Sequence, residues 1–245
     1  MAQILQVDNQ TIPTTKVVTL LAKYQMLPQF LREVITDRAI ASFTCTPEET
    51  AIACQNFFQK HQLTSETVPQ EWLALYEMTR EDLEALATRE QRIEQFKQAS
   101  WQRKLPSYFL DRKTCLDKVV YSIIRVKDVG IAHELYFRIQ EGEQSFTELA
   151  QTYAQNPEAE ASGVVGPIEL GKLDRSLATR LYTSKPGQLL PVLSVGEWSA
   201  IVRLEQLIPA QLDEPMCQKL LNELFKTWLQ EEFVKLLGEG LVSLE

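Results

Sequence analysis

At Lys118 the texture of the chain changes, and that change constrains the fold more than any other feature. Residues 17–101 carry apolar side chains at helical spacing, whereas Val119, Val120, Tyr121, Ser122, Ile123, Ile124, Arg125 and Val126 follow one another without a break. A β-branched run of this kind suits a buried pleated strand and crowds the turns of a helix. A single helical bundle is therefore excluded, and a domain boundary belongs near residue 117.

Upstream of the boundary, a short opening stretch alternates like a strand. Residues 17–22 and 28–42 then read as two helices, with Pro28 in the first turn of the second and Leu31, Val34, Ile35 and Ile40 facing inward. Thr46-Pro47-Glu48-Glu49 is a helix start. Threonine caps, proline occupies the first helical position, and a glutamate reaches back to the cap. That helix carries Ile52, Phe57 and Phe58, and Leu83, Leu86, Ile93 and Phe96 predict one long exposed helix from Arg80 to about Trp101.

Downstream, residues 129–141 form an amphipathic helix closed by Gly142, and Ser145 opens another as N-cap. Gly163, Gly166 and Gly171 surround a short strand at Val164-Val165, and Lys185-Pro186-Gly187 turns the chain before strands at 189–193 and 198–204. Residues 214–237 make a long helix whose face of Leu220, Leu221, Leu224, Phe225, Trp228, Leu229 and Phe233 needs a cover. The expected class is α+β. A mainly helical domain at 1–117 and a βααβαββ domain at 118–208 precede a helix at 209–245 that packs back on the helical domain.

Composition removes several functions. With 33 acidic against 25 basic residues the net charge is −8, and half of it, −4, falls in residues 212–245. Nucleic-acid surfaces need clustered cations, so nucleic acid is not an expected partner. Cys45, Cys54, Cys115 and Cys217 stand far apart without a C-x-x-C pair or histidines at ligand spacing. They are expected as buried thiols, with no metal and no cofactor. No phosphate-binding glycine loop, dinucleotide fingerprint or H-E-x-x-H is present. The first residues lack a basic and apolar leader, and no run approaches spanning length, so a cytoplasmic protein without membrane insertion is expected.

Four stretches in order carry a resemblance. Val120-Tyr121-Ser122-Ile123-Ile124 occupies the place of an A-x-H-I-L strand, Phe146-Thr147-Glu148-Leu149-Ala150 matches F-x-x-L-A, and Ser162-Gly163-Val164-Val165-Gly166 looks like a G-G-x-L-G turn. Residues 181–192, ending in Leu189-Leu190-Pro191-Val192, are similar to A-F-x-L-x-x-G-x-x-S-x-P-V, the most specific of the four. In this order they resemble parvulin-type peptidyl-prolyl cis-trans isomerases of bacterial PpiC type. The helical segments on either side resemble the chaperone part of SurA-type isomerases.

The resemblance implies positions for a site. Ser122 and Ser199 stand where the family has histidines, with Ala200 the alternative to Ser199 if the preceding turn is one residue longer. Gln155 stands at its cysteine or aspartate, and Ser194 at its threonine. These four are the catalytic positions. Leu173 and Leu177 fall at the family's methionine or leucine and its phenylalanine; with Trp198 they make the substrate-binding set. Two leucines four apart also suit a helix core, and Trp198 suits either a platform or a core anchor.

The implied activity is isomerisation of X-Pro bonds in unfolded or extended proline-containing polypeptides, reduced or absent because the histidines are missing. The alternative is a noncatalytic chaperone or adaptor that docks peptides on the same fold. Service to a peptide-export system is a further implied role. His61 and His133 are expected as ordinary surface or packing residues.

Overall fold

The computed structural model describes residues 4–7, 10–62, 68–153 and 163–238. It divides into two compact units, Met1–Leu105 with Cys217–Glu245, and Pro106–Met216.

The first unit opens on a hairpin, β1 (Ile4–Val7) and β2 (Gln10–Pro13), paired through Leu5 and Ile12. Helices α1 (Val17–Lys23), α2 (Leu27–Ile40), α3 (Pro47–Lys60) and α4 (Val68–Leu75) follow; the last has no counterpart in the sequence reading. The Thr46 capping box is present. Its hydroxyl accepts from Glu49 N at 3.2 Å, and Glu49 Oε2 accepts from Thr46 N at 2.8 Å.

One expectation is corrected where a single long helix was foreseen. The stretch is two helices, α5 (Arg80–Ala87) and α6 (Arg89–Trp101), parted at Thr88. The Thr88 hydroxyl donates back to the Glu84 carbonyl at 2.7 Å, a contact that competes with the regular ladder and bends helices. Arg89 then reaches Glu33 and Asp37 of α2, each at 2.7 Å. Val34 faces outward at 38% exposure because the buried positions of α2 are Thr36 and Ile40.

Helix α11 (Glu214–Gly238) buries Leu220, Leu221 and Phe233. Its Phe225 and Trp228 join Phe96 and Trp101 of α6 in a ring cluster, with centroids 4.9 Å apart for Phe96 and Trp228. Lys97, only 6% exposed, sits between Glu94 Oε1 and Asn222 Oδ1, each at 2.5 Å. A buried ammonium needs such partners, and here they join α6 to α11.

The second unit begins with α7 (Leu105–Leu116), also absent from the sequence reading. Then come β3 (Lys118–Val126), α8 (Val129–Gln140), α9 (Phe146–Tyr153), β4 (Val164–Glu169), α10 (Arg175–Thr183), β5 (Leu189–Val195) and β6 (Trp198–Ile208), the expected βααβαββ order. The sheet is antiparallel with strand order β4-β3-β6-β5. Its period-two alternation makes two cores. Tyr121, Ile123, Val202 and Leu204 face one, with Leu177 and Leu181 of α10; Ile124, Val126 and Ile201 face the other, under α8 and α9.

The starts of α8, α9 and α10 are capped by a carboxylate or a serine. Asp128 Oδ1 accepts from Gly130 N and Ile131 N, and Ser145 and Glu148 exchange bonds, which holds the Glu148 carboxyl below its ordinary range. Asp117, buried, accepts from Lys113 Nζ at 2.9 Å and Ala210 N at 2.7 Å, fastening the start of β3 to the chain leaving β6. The cysteines depart from expectation. Cys115 is exposed and the other three are half-buried; partial burial, aided by Glu49 and Glu84, pushes the Cys45 and Cys54 thiols up.

Candidate functional site

Between β3, β4, β5 and the start of α10 lies a cavity of about 370 Å3. Its walls are Tyr121, Arg125, Val165, Ile168, Lys172, Leu173, Asp174, Leu177 and Val195. The volume is within the range of about 300–1,000 Å3 usual for small-ligand sites. Apolar side chains dominate, and the charged ones belong to Arg125, Lys172 and Asp174.

Local sequence explains the placement. Tyr121 and Arg125 are four residues apart on β3, so both point to the cavity face. Leu177 is 3% exposed and joins the core, while Leu173 is half-buried and belongs to the wall. Asp174 fixes the start of α10, its Oδ1 accepting from Ser176 N at 2.9 Å and Leu177 N at 3.3 Å. Gly166 lies between Val165 and Ile168 at φ +117°. A Cβ there would meet the Val119 carbonyl oxygen at 2.5 Å, so only glycine lets β4 lie this close to β3.

Of the residues anticipated from sequence, Leu173 and Leu177 come together at the cavity. The three serines do not. Ser122 follows Tyr121 by one residue and therefore faces the α8–α9 side, where its hydroxyl donates to Glu205 Oε1 at 2.5 Å. Glu205 is the extra residue of a bulge in β6 opposite Val120 and Tyr121, and it also accepts from Arg203 Nε at 2.8 Å. A bulge re-aims a side chain, and this one supplies the buried serine with a partner. Ser199 pairs with Val126 and Ser194 across the strands, placing both on that same side. Trp198 pairs with Val195 on the cavity side, under Lys127 Nζ 5.4 Å from its ring, but does not line the cavity. Gln155 lies outside the described residues.

Tyr121, Arg125, Val165, Ile168 and Val195 were missed. Alternation along β3 was the available signal for the first two, because a buried strand presents every second residue to a given face. The strands β4 and β5 gave none, since their position relative to α10 follows from sheet order. His133 is exposed on α8, and His61 stacks on Phe57 at 4.2 Å in the first unit. Neither lines the cavity.

The first unit has its own groove, about 930 Å3, between α3, α5 and α6. Ile52, Ala53, Phe57, Leu86 and Ile93 give it an apolar floor, and Glu49, Lys60, Arg89 and Glu90 a charged rim. Ile52 is 59% exposed there. Among the described residues no cluster of His, Cys, Asp and Glu is placed to hold a metal ion, and no helix is long and apolar enough to cross a membrane.

Residues 129–206 match the family described as rotamase, PPIC-type PPIASE domain. No curated protein matches the chain. Among solved structures, the peptidylprolyl isomerase PrsA from Bacillus cereus superposes with a TM-score of 0.54 at 18% identity, covering 100% of this chain and 94% of that one. The foldase protein PrsA from Streptococcus pneumoniae has a TM-score of 0.48 at 14% identity, covering 100% and 96%. A SurA-like chaperone structure from Campylobacter jejuni has 0.36 at 15% identity, covering 100% of each chain. Residues 129–206 thus match a PPIC-type PPIASE domain, in a chain that shares the fold of the Bacillus cereus PrsA structure.

Proposed function

We propose that the cavity beside Leu173 and Leu177 receives the pyrrolidine ring of an X-Pro segment and lowers the barrier to its cis-trans isomerisation. The protein would then act as an isomerase and folding chaperone on extended polypeptide. The observation that carries this reading is the apolar cavity itself, built by Val165, Ile168, Leu173, Leu177 and Val195 inside a PPIC-type domain.

The reaction asks little in the way of acid or base. Its barrier of about 18–20 kcal/mol is amide resonance, lost as the C–N bond twists, and no σ-bond breaks. A planar amide carries the larger dipole, so a poorly solvated apolar site favours the twisted form relative to the planar one. Burying the three ring methylenes contributes about 2.4 kcal/mol, at roughly 0.8 kcal/mol each. Millimolar affinity already requires about 4.1 kcal/mol, so flanking contacts must supply the rest. The open groove of the first unit, with its apolar floor, suits a second stretch of unfolded chain and forms the chaperone half of the proposal.

Exchange spectroscopy on a proline-containing peptide tests it. The protein is expected to accelerate cis-trans exchange in a saturable way, and Leu173→Ala to lower that acceleration about tenfold, or ~1.4 kcal/mol. Leu177→Ala should also cost about 2–4 kcal/mol of stability, because its side chain belongs to the core. Exchange at the buffer rate, even at saturating protein, would remove the isomerase. The absence of histidine from the cavity wall favours a second reading, a noncatalytic peptide-binding chaperone or adaptor. Saturable binding without acceleration would decide for it. Cytoplasmic residence and service to peptide export also belong to the proposal, and fractionation of expressing cells tests the first.

A further inference from the structure

A polar cluster is built into the apolar sheet on the face away from the cavity. Ser122, 1% exposed, donates to Glu205 Oε1 at 2.5 Å, and Arg203 Nε donates to the same oxygen at 2.8 Å. Arg203 is held from a second direction, its guanidinium carbon 5.1 Å from the ring of buried Phe146 in α9. Replacing buried ionic groups by well-packed apolar side chains is often neutral or stabilising, so stability alone does not account for the cluster. Geometry does. Two irregularities of the sheet meet at Tyr121, the residue before Ser122. Against β6, Val120 pairs with Gln206 and Tyr121 with Leu204, which leaves Glu205 as the extra residue. Against β4, Val119 pairs with Ile168 and Tyr121 with Val165, so three steps of β4 span two of β3. The β4 side is met by backbone, where Gly166 lies close to the Val119 carbonyl. The β6 side is met by a side chain, that of Glu205, tied inward to Ser122. Bulges bend a strand and re-aim its neighbours, and Tyr121 is the one aromatic among the described residues of the cavity wall.

We infer that Ser122, Glu205 and Arg203 are positioning residues: they fix the bulge in β6 and thereby the place of the Tyr121 ring in the cavity wall, which sets how well the pocket fits a proline. This rests on the proline reading of the cavity and extends it to side chains on the opposite face of the sheet. None of the three touches the substrate. Their effect passes through the backbone of β3, where Ser122 on one face and Tyr121 on the other are consecutive residues. Once the tie to Ser122 is cut, the extra residue of β6 is free to relax, and the ladder opposite Tyr121 changes with it.

The double variant Ser122→Val, Glu205→Leu tests the inference by exchanging the polar pair for apolar side chains. It is expected to melt close to the parent protein, while its affinity for a proline-containing peptide, measured against the proline-to-alanine counterpart, falls about tenfold, or ~1.4 kcal/mol. In the peptide-free variant the NMR signals of the Tyr121 ring and the Val165 methyls should move. Glu205→Gln keeps an acceptor oxygen for Ser122 and should stay within about threefold of the parent affinity. A merely structural role gives the reverse pattern, a lowered melting temperature with parent affinity in the molecules that remain folded. That pattern, or Tyr121 and Val165 signals at their parent positions, would overturn the inference and leave the proline reading intact. Should the double variant not fold, Ser122→Ala, which removes only the hydroxyl, decides the matter: a loss of about threefold in affinity supports the inference, and parent affinity overturns it. If the parent protein itself does not distinguish the proline peptide from the alanine one, both readings fall.

Discussion

Replacing Gly166 by valine is expected to lower the stability of the 106–216 unit by about 3 kcal/mol or more, and alanine to have most of the same effect. Two costs combine. A side chain at φ +117° occupies a backbone region open essentially to glycine, at about 1–3 kcal/mol. The added Cβ would also lie 2.5 Å from the Val119 carbonyl oxygen and 3.2 Å from Ile168 N and Val120 Cα. All three obstacles are backbone, and backbone of a paired strand does not rotate aside as a lysine would. Relief therefore requires β4 to move away from β3, which also displaces Val165 and Ile168 from the cavity. For a unit near a hundred residues the shift in melting temperature is on the order of 10–20 °C. Hydrogen exchange at the amides of β3 and β4 assigns the loss to the right unit; a near-unchanged melting temperature with both strands protected would contradict the account.

Leu173→Trp is expected to abolish at least nine-tenths of any acceleration of proline isomerisation while leaving the fold intact. Leu173 is half-buried at the wall, in the extended connection that enters α10, so a larger ring there can extend into the cavity. It would take the volume assigned to the substrate proline. The same change at Leu177 would instead overpack a core position at 3% exposure and cost about 1–3 kcal/mol. The contrast between the two sites matters more than either alone. If Leu173→Trp melts like the parent protein and retains full activity, the proline does not bind there.

Much of the architecture was legible because period and punctuation agreed. The β-branched run at 119–126, the glycines at 163 and 166 and the serine opening α9 each demanded one kind of backbone, and the βααβαββ order followed. The break at Thr88 was not legible. Apolar spacing continues through it, and the Thr88 hydroxyl bond to the Glu84 carbonyl has equivalents inside unbroken helices, as at Thr36 of α2. Helix α7 was not foreseen, although Pro106 falls in its first turn as Pro28 does in α2.

The candidate site was legible only in part. Leu173 and Leu177 carry the apolar character that a ring pocket needs, and both line the cavity. Ser122 shows the limit of reading a motif by register. In a strand a one-residue difference reverses the side chain, and the cavity residue at this point is Tyr121. Val165, Ile168 and Val195 were beyond reach for another reason: which residues share a cavity depends on how four strands are ordered and where α10 crosses them.

The central claim, that this cavity holds a proline ring, is tested most directly by methyl NMR of Val165, Ile168, Leu173, Leu177 and Val195 during titration with a proline-containing peptide and with its proline-to-alanine counterpart. The account predicts saturable shifts in these five residues with the proline peptide and much smaller ones with the alanine peptide. Methyl signals that stay in place, or that shift equally with both peptides, would contradict it.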